Sequence, residues 1–579
     1  MSLERAVARL ASRPSTTLRR LFYSILLVTM SASNSLAQTP PMGFRTWNEF
    51  GLNVNQTMME AAFRALASTA RSVDGKPTSL SQLGYRHAGV DDGWQACGTG
   101  AGGGFHNASG YPLVDTTKFP DLRAMTASAR TLGVVPGWYA NNCHCADHSK
   151  TCGASGTAPL GCYGGDVAAT IDYGFASLKV DSCGAQKNVS EYAALFNASG
   201  VQVLLENCHE GVPVRTPGGT VHCPMNLFRT SSDIRPTYGA ILANLLTVIK
   251  FNDAQLTGPG CWAYPDMLEI GVSVPQPPGA KHHCATKDVA CSMNATEWQS
   301  HFSAWAIVSA PLILGFDVRN NTAMDAVWPI ISNREVIAIN QQWAGDAGSL
   351  REQGKEMVTL PNCGHGTPCN HPSWLVWSKQ LSLPRNATDA TGSRAAVLLM
   401  NNAPYPQTVI ANLSLILGLG ACDDSGGCAV RDAVAREDVA LLVGATLSSG
   451  ATPLAPHASR LFVITSPLPS PPRPPPSPSP SPSPGPGPSP SPPIPPPLPG
   501  QNCSWVPGSG LKGGDIAKAL KGGTKEACCE LCVATEKCVA ACWRPTSSSG
   551  PPGCHMKSAV HLDPGGKGDA DAVVCVPPK

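Results

Sequence analysis

Eight short apolar runs separated by segments of helical length fill residues 38–340, and no other feature constrains the fold so tightly. The runs fall at 42–47, 87–91, 134–139, 177–181, 201–205, 227–230, at 254–257 leading into 262–267, and at 312–316. Runs this short, bounded by turn residues, read as buried strands. The segments between them, such as 57–71, 122–132, 167–173, 238–250 and 298–309, carry helical spacing. Eight strands alternating with helices over about 250–300 residues predict a (β/α)8 TIM barrel, an α/β fold, over residues 38–343. An open doubly wound sheet is the competing arrangement, but no Gly-x-Gly-x-x-Gly turn follows an early strand.

The strand ends are polar. Trp47 ends the first run, Asp91 and Asp92 the second, and Tyr139 the third. The fourth supplies Lys179 and Asp181, two residues apart and therefore on one face of a strand. Arg229 and Asp233 follow the sixth, while Trp262, Asp266 and Met267 belong to the seventh. Any one of these reads equally well as a loop acid or as an ion pair decorating a terminus. The full set reads otherwise, because the carboxyl ends of the strands are the working face of a barrel. Carboxylates accept from hydroxyls and aromatic faces cover the apolar faces of sugars, so the set predicts a polar, ring-shaped ligand. Two aspartates at separate strand ends, Asp181 and Asp233, fit glycoside hydrolysis.

Composition narrows the setting. The net charge is +2, and no basic run beyond the N-terminus gives a reason to expect nucleic-acid binding. The 23 cysteines are spread along the chain. Asn55, Asn107, Asn188, Asn197, Asn294, Asn320, Asn386, Asn412 and Asn502 each open an Asn-x-Ser/Thr triplet. Both features point to an oxidising, secretory route. Residues 1–37 agree: Arg5, Arg9, Arg13, Arg19 and Arg20 precede an apolar run over 21–30 and small residues ending at Ala37, as in a secretory signal. A transit peptide also starts rich in Arg and Ser, but the glycosylation triplets argue against an organelle. The apolar run is too short for a membrane span. The expected location is extracellular or in a cell wall, with a vacuole or lysosome as the alternative.

After residue 344 the helical signal fades. Strand-like runs at 374–377, 396–400, 408–413, 439–442 and 460–464 predict an antiparallel β-sandwich over 344–466. Cys363 with Cys369, and Cys422 with Cys428, are near enough in sequence to staple local loops. Residues 467–500 are almost entirely Pro and Ser, cannot bury a core, and predict an extended polyproline linker. Residues 501–579 hold Cys503, Cys528, Cys529, Cys532, Cys538, Cys542, Cys554 and Cys575, which in a secreted chain predict a disulfide framework more readily than zinc. Cys143, Cys145 and His148 also lie together, and bridges are preferred to a metal there too.

Several stretches, in this order, resemble the successive motifs of the glycoside hydrolase family 27 α-galactosidases. They are TPPMGFRTW ending at Trp47, VDDGW ending at Trp94, LKVDSC ending at Cys183, FRTSSDI ending at Ile234, YPDML ending at Leu268 and VIAINQ ending at Gln341. The similarity is strong over residues 39–345 and weak in the sandwich. In the tail, ACCELC ending at Cys532, with Cys538, Trp543 and GCHMK ending at Lys557, resembles a PAN/Apple-like module, expected to bind carbohydrate or protein.

The family resemblance implies a secreted, retaining exo-α-galactosidase acting on α-galactosyl oligosaccharides or glycans, with no cofactor and no metal. Asp181 would be the nucleophile and Asp233 the general acid/base, their carboxyl groups about 5–5.5 Å apart as retention requires. Lys179 and Arg229 would bind hydroxyls and keep the nucleophile ionised. Asp233 must hold a proton for the first step, which desolvation or a neighbouring acid would favour. Asp91 and Asp92 would grip the 4- and 6-hydroxyls, and Trp47 and Trp262 would wall the ring, with Tyr139, Asp266 and Met267 completing the pocket. His209 stands where the family has the glutamate that reads the sugar 2-position, with Glu206 or Glu210 as candidates to replace it. An α-N-acetylgalactosaminidase or β-L-arabinopyranosidase is therefore the alternative within the family, and a non-catalytic glycan-binding wall protein the alternative outside it. Gly93 occupies a position where relatives often carry a cysteine. The family pattern retains Cys208–Cys223 and pairs Cys183 with Cys152 or Cys162.

Overall fold

The computed structural model describes residues 36–466 except 141–144, 146–160, 183–185, 210, 273–291, 365–366, 383–392, 417–421 and 423–426; beyond 466 it describes strand backbone between Ser504 and Val576. Residues 1–35 of the expected signal and the whole Pro/Ser linker lie outside the described residues.

Eight strands form one sheet: β1 (Met42–Arg45), β2 (His87–Gly89), β3 (Val135–Ala140), β4 (Ser177–Val180), β5 (Leu204–Asn207), β6 (Leu227–Arg229), β7 (Trp262–Tyr264) and β8 (Leu312–Leu314). Every pairing is parallel, neighbours follow chain order, and β8 lies beside β1. A parallel bridge from Leu268, just past β7, to Leu314 joins the remaining seam and closes the barrel.

Strand alternation explains both surfaces of this barrel. Phe44, Ala88, Trp138, Leu178, Leu205, Phe228 and Leu314 enter the core shared with the outer helices. Leu204, Leu227, Tyr264 and Ile313, at alternate positions, form a separate cluster with Met267 inside the lumen. Arg45, Lys179, Glu206 and Arg229 share that inward parity and are buried at the carboxyl end. Gly89 makes room for them, since a Cβ there would stand 3.1 Å from the Arg45 guanidinium carbon.

Three sequence expectations shift in detail. The first helix spans Gln56–Ala67, and the residues after it form a hairpin of Arg71–Val73 with Lys76–Thr78. Asp74 and Gly75 turn that hairpin with positive φ, which is what an Asp-Gly pair favours over continued helix. Residues 254–257 are a turn and loop after the helix Ile249–Asp253, so the strand there is β7 alone. The fifth strand begins at Leu204 and not at residue 201.

The sandwich reads clearly from one strand. Along Arg394–Asn401, Ala396, Leu398 and Met400 join the barrel's core, while Ala395, Val397 and Leu399 join a second core on the other face. A strand buried on both faces loses the polar alternation of an exposed sheet. It lies within a six-stranded antiparallel sheet running from Ser349–Gln353 to Glu437–Leu442, and the pair Ile410–Asn412 with Thr446–Ser448 covers the second core. Barrel and sandwich belong to one compact unit. Polar contacts fasten it: Lys379 Nζ caps the carbonyls of Ile339 and Asn340 at 2.6 and 3.0 Å, and His457 stacks on Tyr238 with ring centroids 4.2 Å apart. The second unit, Pro474–Lys579, holds a five-stranded antiparallel sheet.

Cys363–Cys369 and Cys422–Cys428 are bridged as expected. Cys145 pairs with Cys97, which removes it from any metal set with Cys143 and His148, residues outside the described ones. Cys162 is disulfide-bonded, while Cys152 and Cys183 lie outside the described residues. The expected Cys208–Cys223 bridge is absent: Cys223 pairs with Cys261 and Cys208 is a buried free thiol. Strand register gives the reason. Cys261 directly precedes Trp262, the partner of Leu227, so it lies at the amino end of the barrel near Cys223. Cys208 follows Asn207, the partner of Phe228, and so lies at the carboxyl end, beyond the roughly 4.4–6.8 Å Cα span of a bridge.

Among the described residues four of the Asn-x-Ser/Thr triplets begin at α-helix caps, Asn55, Asn188, Asn294 and Asn320, and Asn412 caps a 3-10 turn; each accepts a backbone N–H of the first turn through Oδ1. Asn294 is also part of a capping box with Glu297. Asn294→Ala should lower the unfolding free energy by about 1 kcal/mol in urea denaturation of unglycosylated protein. An unchanged midpoint there would mean the side chain contributes nothing as a cap.

Candidate active site

The carboxyl end of the barrel is built on four charges from different segments. Asp91 follows β2, and its Oδ2 accepts from Lys179 Nζ at 2.8 Å and stands 3.7 Å from Arg45 Nη1. Its Oδ1 accepts from the Asp92 amide at 2.9 Å. Arg45 Nη2 donates to Glu206 Oε2 at 2.5 Å. None of the four would be stable buried alone, and each has an opposite charge from another strand. Burial, the largest single influence, would lower the Lys179 ammonium, but Asp91 together with Cys208 and Asp181 reverses it and holds the lysine above its ordinary value. Burial likewise opposes the Arg45 charge, and Glu206 with Asp91 reverses the outcome.

Asp181 follows β4. Its Oδ2 accepts from the Tyr139 hydroxyl at 2.8 Å, and its Oδ1 accepts from the Ser182 amide at 2.7 Å. Burial first, then the Asp181 charge, pushes the Tyr139 phenol well above its usual value, so it remains a proton donor. Asp233 follows β6, and its Oδ1 accepts from Arg229 Nη2 at 3.1 Å. The same nitrogen is 2.8 Å from Asp266 Oδ2, and Arg229 Nη1 is 3.5 Å from Cys208 Sγ. Of the two influences the sequence offered for Asp233, desolvation or a neighbouring acid, the first is weak, for its side chain is 50% exposed, while Asp266 shares its Arg229 nitrogen. Cys208 is the meeting point: an Asp181 oxygen lies within 4.8 Å of its sulfur, and Arg229, which holds Asp233 at 3.1 Å, stands 3.5 Å from that sulfur. The two aspartates thus converge from β4 and β6.

Asp266 has φ of +86°, a conformation costly for a non-glycine residue that persists only when its surroundings enforce it. They do so here. Its carboxylate accepts from the Ile234 and Met267 amides at 2.9 and 2.8 Å, and its carbonyl accepts from Trp305 Nε1 at 2.8 Å. Behind it, burial and then the Asp266 charge push the Glu269 carboxyl well above the usual range. Asn48 Nδ2 donates to Glu269 Oε1, and the Glu269 amide donates to His301 Nε2 at 3.0 Å. Burial lowers His301 to about 3, leaving a neutral ring whose Nε2 accepts.

The remaining expected residues divide. Trp47, partly buried, packs on the lumen cluster that includes Met267, and Asp92 lies buried where its charge reaches Tyr139. His209 is exposed at the rim, with Nδ1 3.2 Å from Cys208 Sγ and Nε2 3.1 Å from the Ser231 carbonyl. Glu206 cannot stand in for the glutamate of the family motif, because Arg45 holds it inside the barrel; Glu210 is outside the described residues. Trp262 does not wall the site. It is the first residue of β7, fully buried at the amino end, with Nε1 donating to the Ala37 carbonyl at 2.7 Å. Arg45 and Glu269 were not singled out by the sequence reading. Arg45 could have been, because in the apolar run at 42–47 it has the parity of Trp47, although in the structure the strand ends at Arg45 and Trp47 opens a short helix.

Among the described residues two groups have metal-ligand composition: Cys363, Cys369 and His371, and Asp181, Cys208 and His209. The first is closed by its disulfide.

A family model described as Alpha galactosidase A matches residues 39–342. An α-galactosidase of Oryza sativa subsp. japonica is 29% identical over 440 residues, covering 75% of this chain and 86% of that protein. Alpha-galactosidase 3 of Arabidopsis thaliana is 27% identical over 423 residues, covering 71% and 78%. Among solved structures, α-galactosidase I from Mortierella vinacea aligns with a TM-score of 0.55 at 24% identity, covering 76% of this chain and 99% of that one. A β-L-arabinopyranosidase from Geobacillus stearothermophilus aligns at 0.56 and 17%, covering 75% and 99%. Both structural likenesses speak for the fold.

The charge network makes a stability prediction. Arg45→Met strands Glu206 in the barrel and should cost roughly 3–5 kcal/mol in chemical denaturation, as breaking one side of a buried pair does. Arg45→Met with Glu206→Gln should recover a large part of that loss, and strict additivity in this cycle would rule out the pairing as a source of stability.

Proposed function

Because the chain belongs to the α-galactosidases of glycoside hydrolase family 27, we propose that it is a secreted exo-α-galactosidase that removes terminal α-D-galactosyl groups with retention of configuration. Asp181 attacks the anomeric carbon and forms a covalent glycosyl ester. Asp233 gives a proton to the departing oxygen, then takes one from the water that cleaves the ester. Lys179 spends one of its three donors on Asp91 and offers the others to sugar hydroxyls, alongside Arg229. Asp92 accepts from the 6-hydroxyl, while Trp47 and Met267 cover the ring's apolar face, and Asp266 and His209 stand toward the 2-position.

One observation supports the reading: two carboxylates held by different partners, Asp181 by Tyr139 and Asp233 by Arg229, come from β4 and β6 to the surroundings of one sulfur, that of Cys208. Secretion draws support from the disulfides. Among the described residues no helix is long and apolar enough to cross a membrane. The substrates are α-galactosyl oligosaccharides or glycans, and the cysteine-rich tail would add a carbohydrate or protein contact.

A second reading, hydrolysis of an α-N-acetylgalactosaminide or a β-L-arabinopyranoside, has one observation behind it, His209 in place of the family's glutamate. Asp92 weighs for a sugar with a 6-hydroxyl. With a chromogenic α-galactoside, Asp181→Asn is expected to lose at least about a thousandfold in kcat. Proton NMR should find α-galactose as the first product. An active Asp181→Asn enzyme, or β-galactose appearing first, would overturn the mechanism, and faster turnover of an N-acetylgalactosaminide or arabinoside would replace the substrate.

A further inference from the structure

Next to the two carboxylates stand three groups that bind metals elsewhere in proteins. Ligand atoms of Asp181, Cys208 and His209 all lie within 4.8 Å of one another, with Cys208 Sγ 3.2 Å from His209 Nδ1. A tetrahedral zinc ion, with Zn–S about 2.3 Å and Zn–N about 2.0–2.1 Å, holds its sulfur and nitrogen ligands roughly 3.5 Å apart. The thiol and the imidazole already sit close to that spacing. The thiol is available because Cys223 has bonded Cys261. Asp181 is held by neutral donors, Tyr139 and Ser182, and a carboxylate can accept at about four lone-pair sites. Arg229, 3.5 Å from the sulfur, adds an unfavourable positive charge, but it is already matched by Asp233 at 3.1 Å and Asp266 at 2.8 Å. His209 is exposed at the rim, which gives an ion its way in.

We propose that Asp181, Cys208 and His209 form a binding site for a borderline-soft divalent cation, zinc being the type ion, and that its occupation switches hydrolysis off. The ion takes the carboxylate that would attack the sugar and fills the space over it. Binding and substrate are then mutually exclusive, and the fourth coordination position is left to water. The switching half rests on the assignment of Asp181 as nucleophile; the binding half does not.

The test uses the full-length protein stripped with a chelator. Co2+ should produce the near-ultraviolet charge-transfer band of a cobalt–thiolate bond, and Zn2+ should abolish it by displacement. Cys208→Ser should lack the band, and His209→Gln should weaken binding at least about tenfold, the low end of what losing even an outer-shell partner costs. Zinc should raise KM for the chromogenic galactoside without lowering kcat, reversibly on chelation, and Cys208→Ser should be zinc-insensitive at whatever activity it retains. A folded wild type without the cobalt–thiolate band, or zinc inhibition of equal strength in Cys208→Ser and His209→Gln, would overturn the site. A cobalt–thiolate band in a protein that zinc does not inhibit would overturn the switch and count against Asp181 as nucleophile. A band in a protein that turns over no α-galactoside would uphold the site and refute the function.

Discussion

Charge inside a barrel is tolerated only where each strand's ion meets its counter-ion from another strand, and this barrel depends on that condition. Arg45, Asp91, Lys179 and Glu206 come from distant parts of the chain and are all nearly inaccessible to solvent. Each would be unstable in the lumen without the others. Their pairing ties β1, β4 and β5 to the residues after β2 and makes a charged platform next to Asp181. The apolar plug of Leu204, Leu227 and Ile313 fills the lumen with no need for such matching.

Above that platform the arrangement is less symmetrical. Asp181 is held by neutral donors, a phenol and an amide, while Asp233 is held by a guanidinium it shares with Asp266. Two carboxyl groups in different surroundings are what a two-step displacement requires, since one must attack and the other must move a proton. The rim also holds a free thiol beside the proposed nucleophile, with an exposed imidazole next to it. Both trace to one local departure of this chain, the loop after β5, where His209 takes the place of an acid and Cys208 has lost its bridging partner.

Most of the barrel was legible because its signals are local. Short apolar runs, segments of helical spacing and the parity of Lys179 with Asp181 need only a few neighbouring residues to be read. The misreadings at the site involve information held between strands, whereas those of element bounds, such as the Asp74-Gly75 turn, are local. Trp262 looks like a pocket wall in sequence, since it neighbours Asp266, but register places it at the other end of a three-residue strand. Cys223 was paired with Cys208 from the family pattern, and only the pairing of Leu227 with Trp262 shows why Cys261 is nearer. Glu206 offered itself as a sugar ligand until Arg45 was seen to occupy it. In the sandwich, the unbroken apolar run Ala395 to Met400 signals burial on two faces but does not say which core lies on which side.

The measurement that bears most directly on the proposed chemistry is the identity of the side chain that carries the sugar. The protein would be incubated with a slow-turnover fluorinated α-galactoside and its proteolytic peptides mapped by mass spectrometry. A single glycosyl ester on Asp181, missing when that residue is Asn, is the expected result. An ester on Asp233, or steady release of sugar with no residue ever labelled, would contradict it.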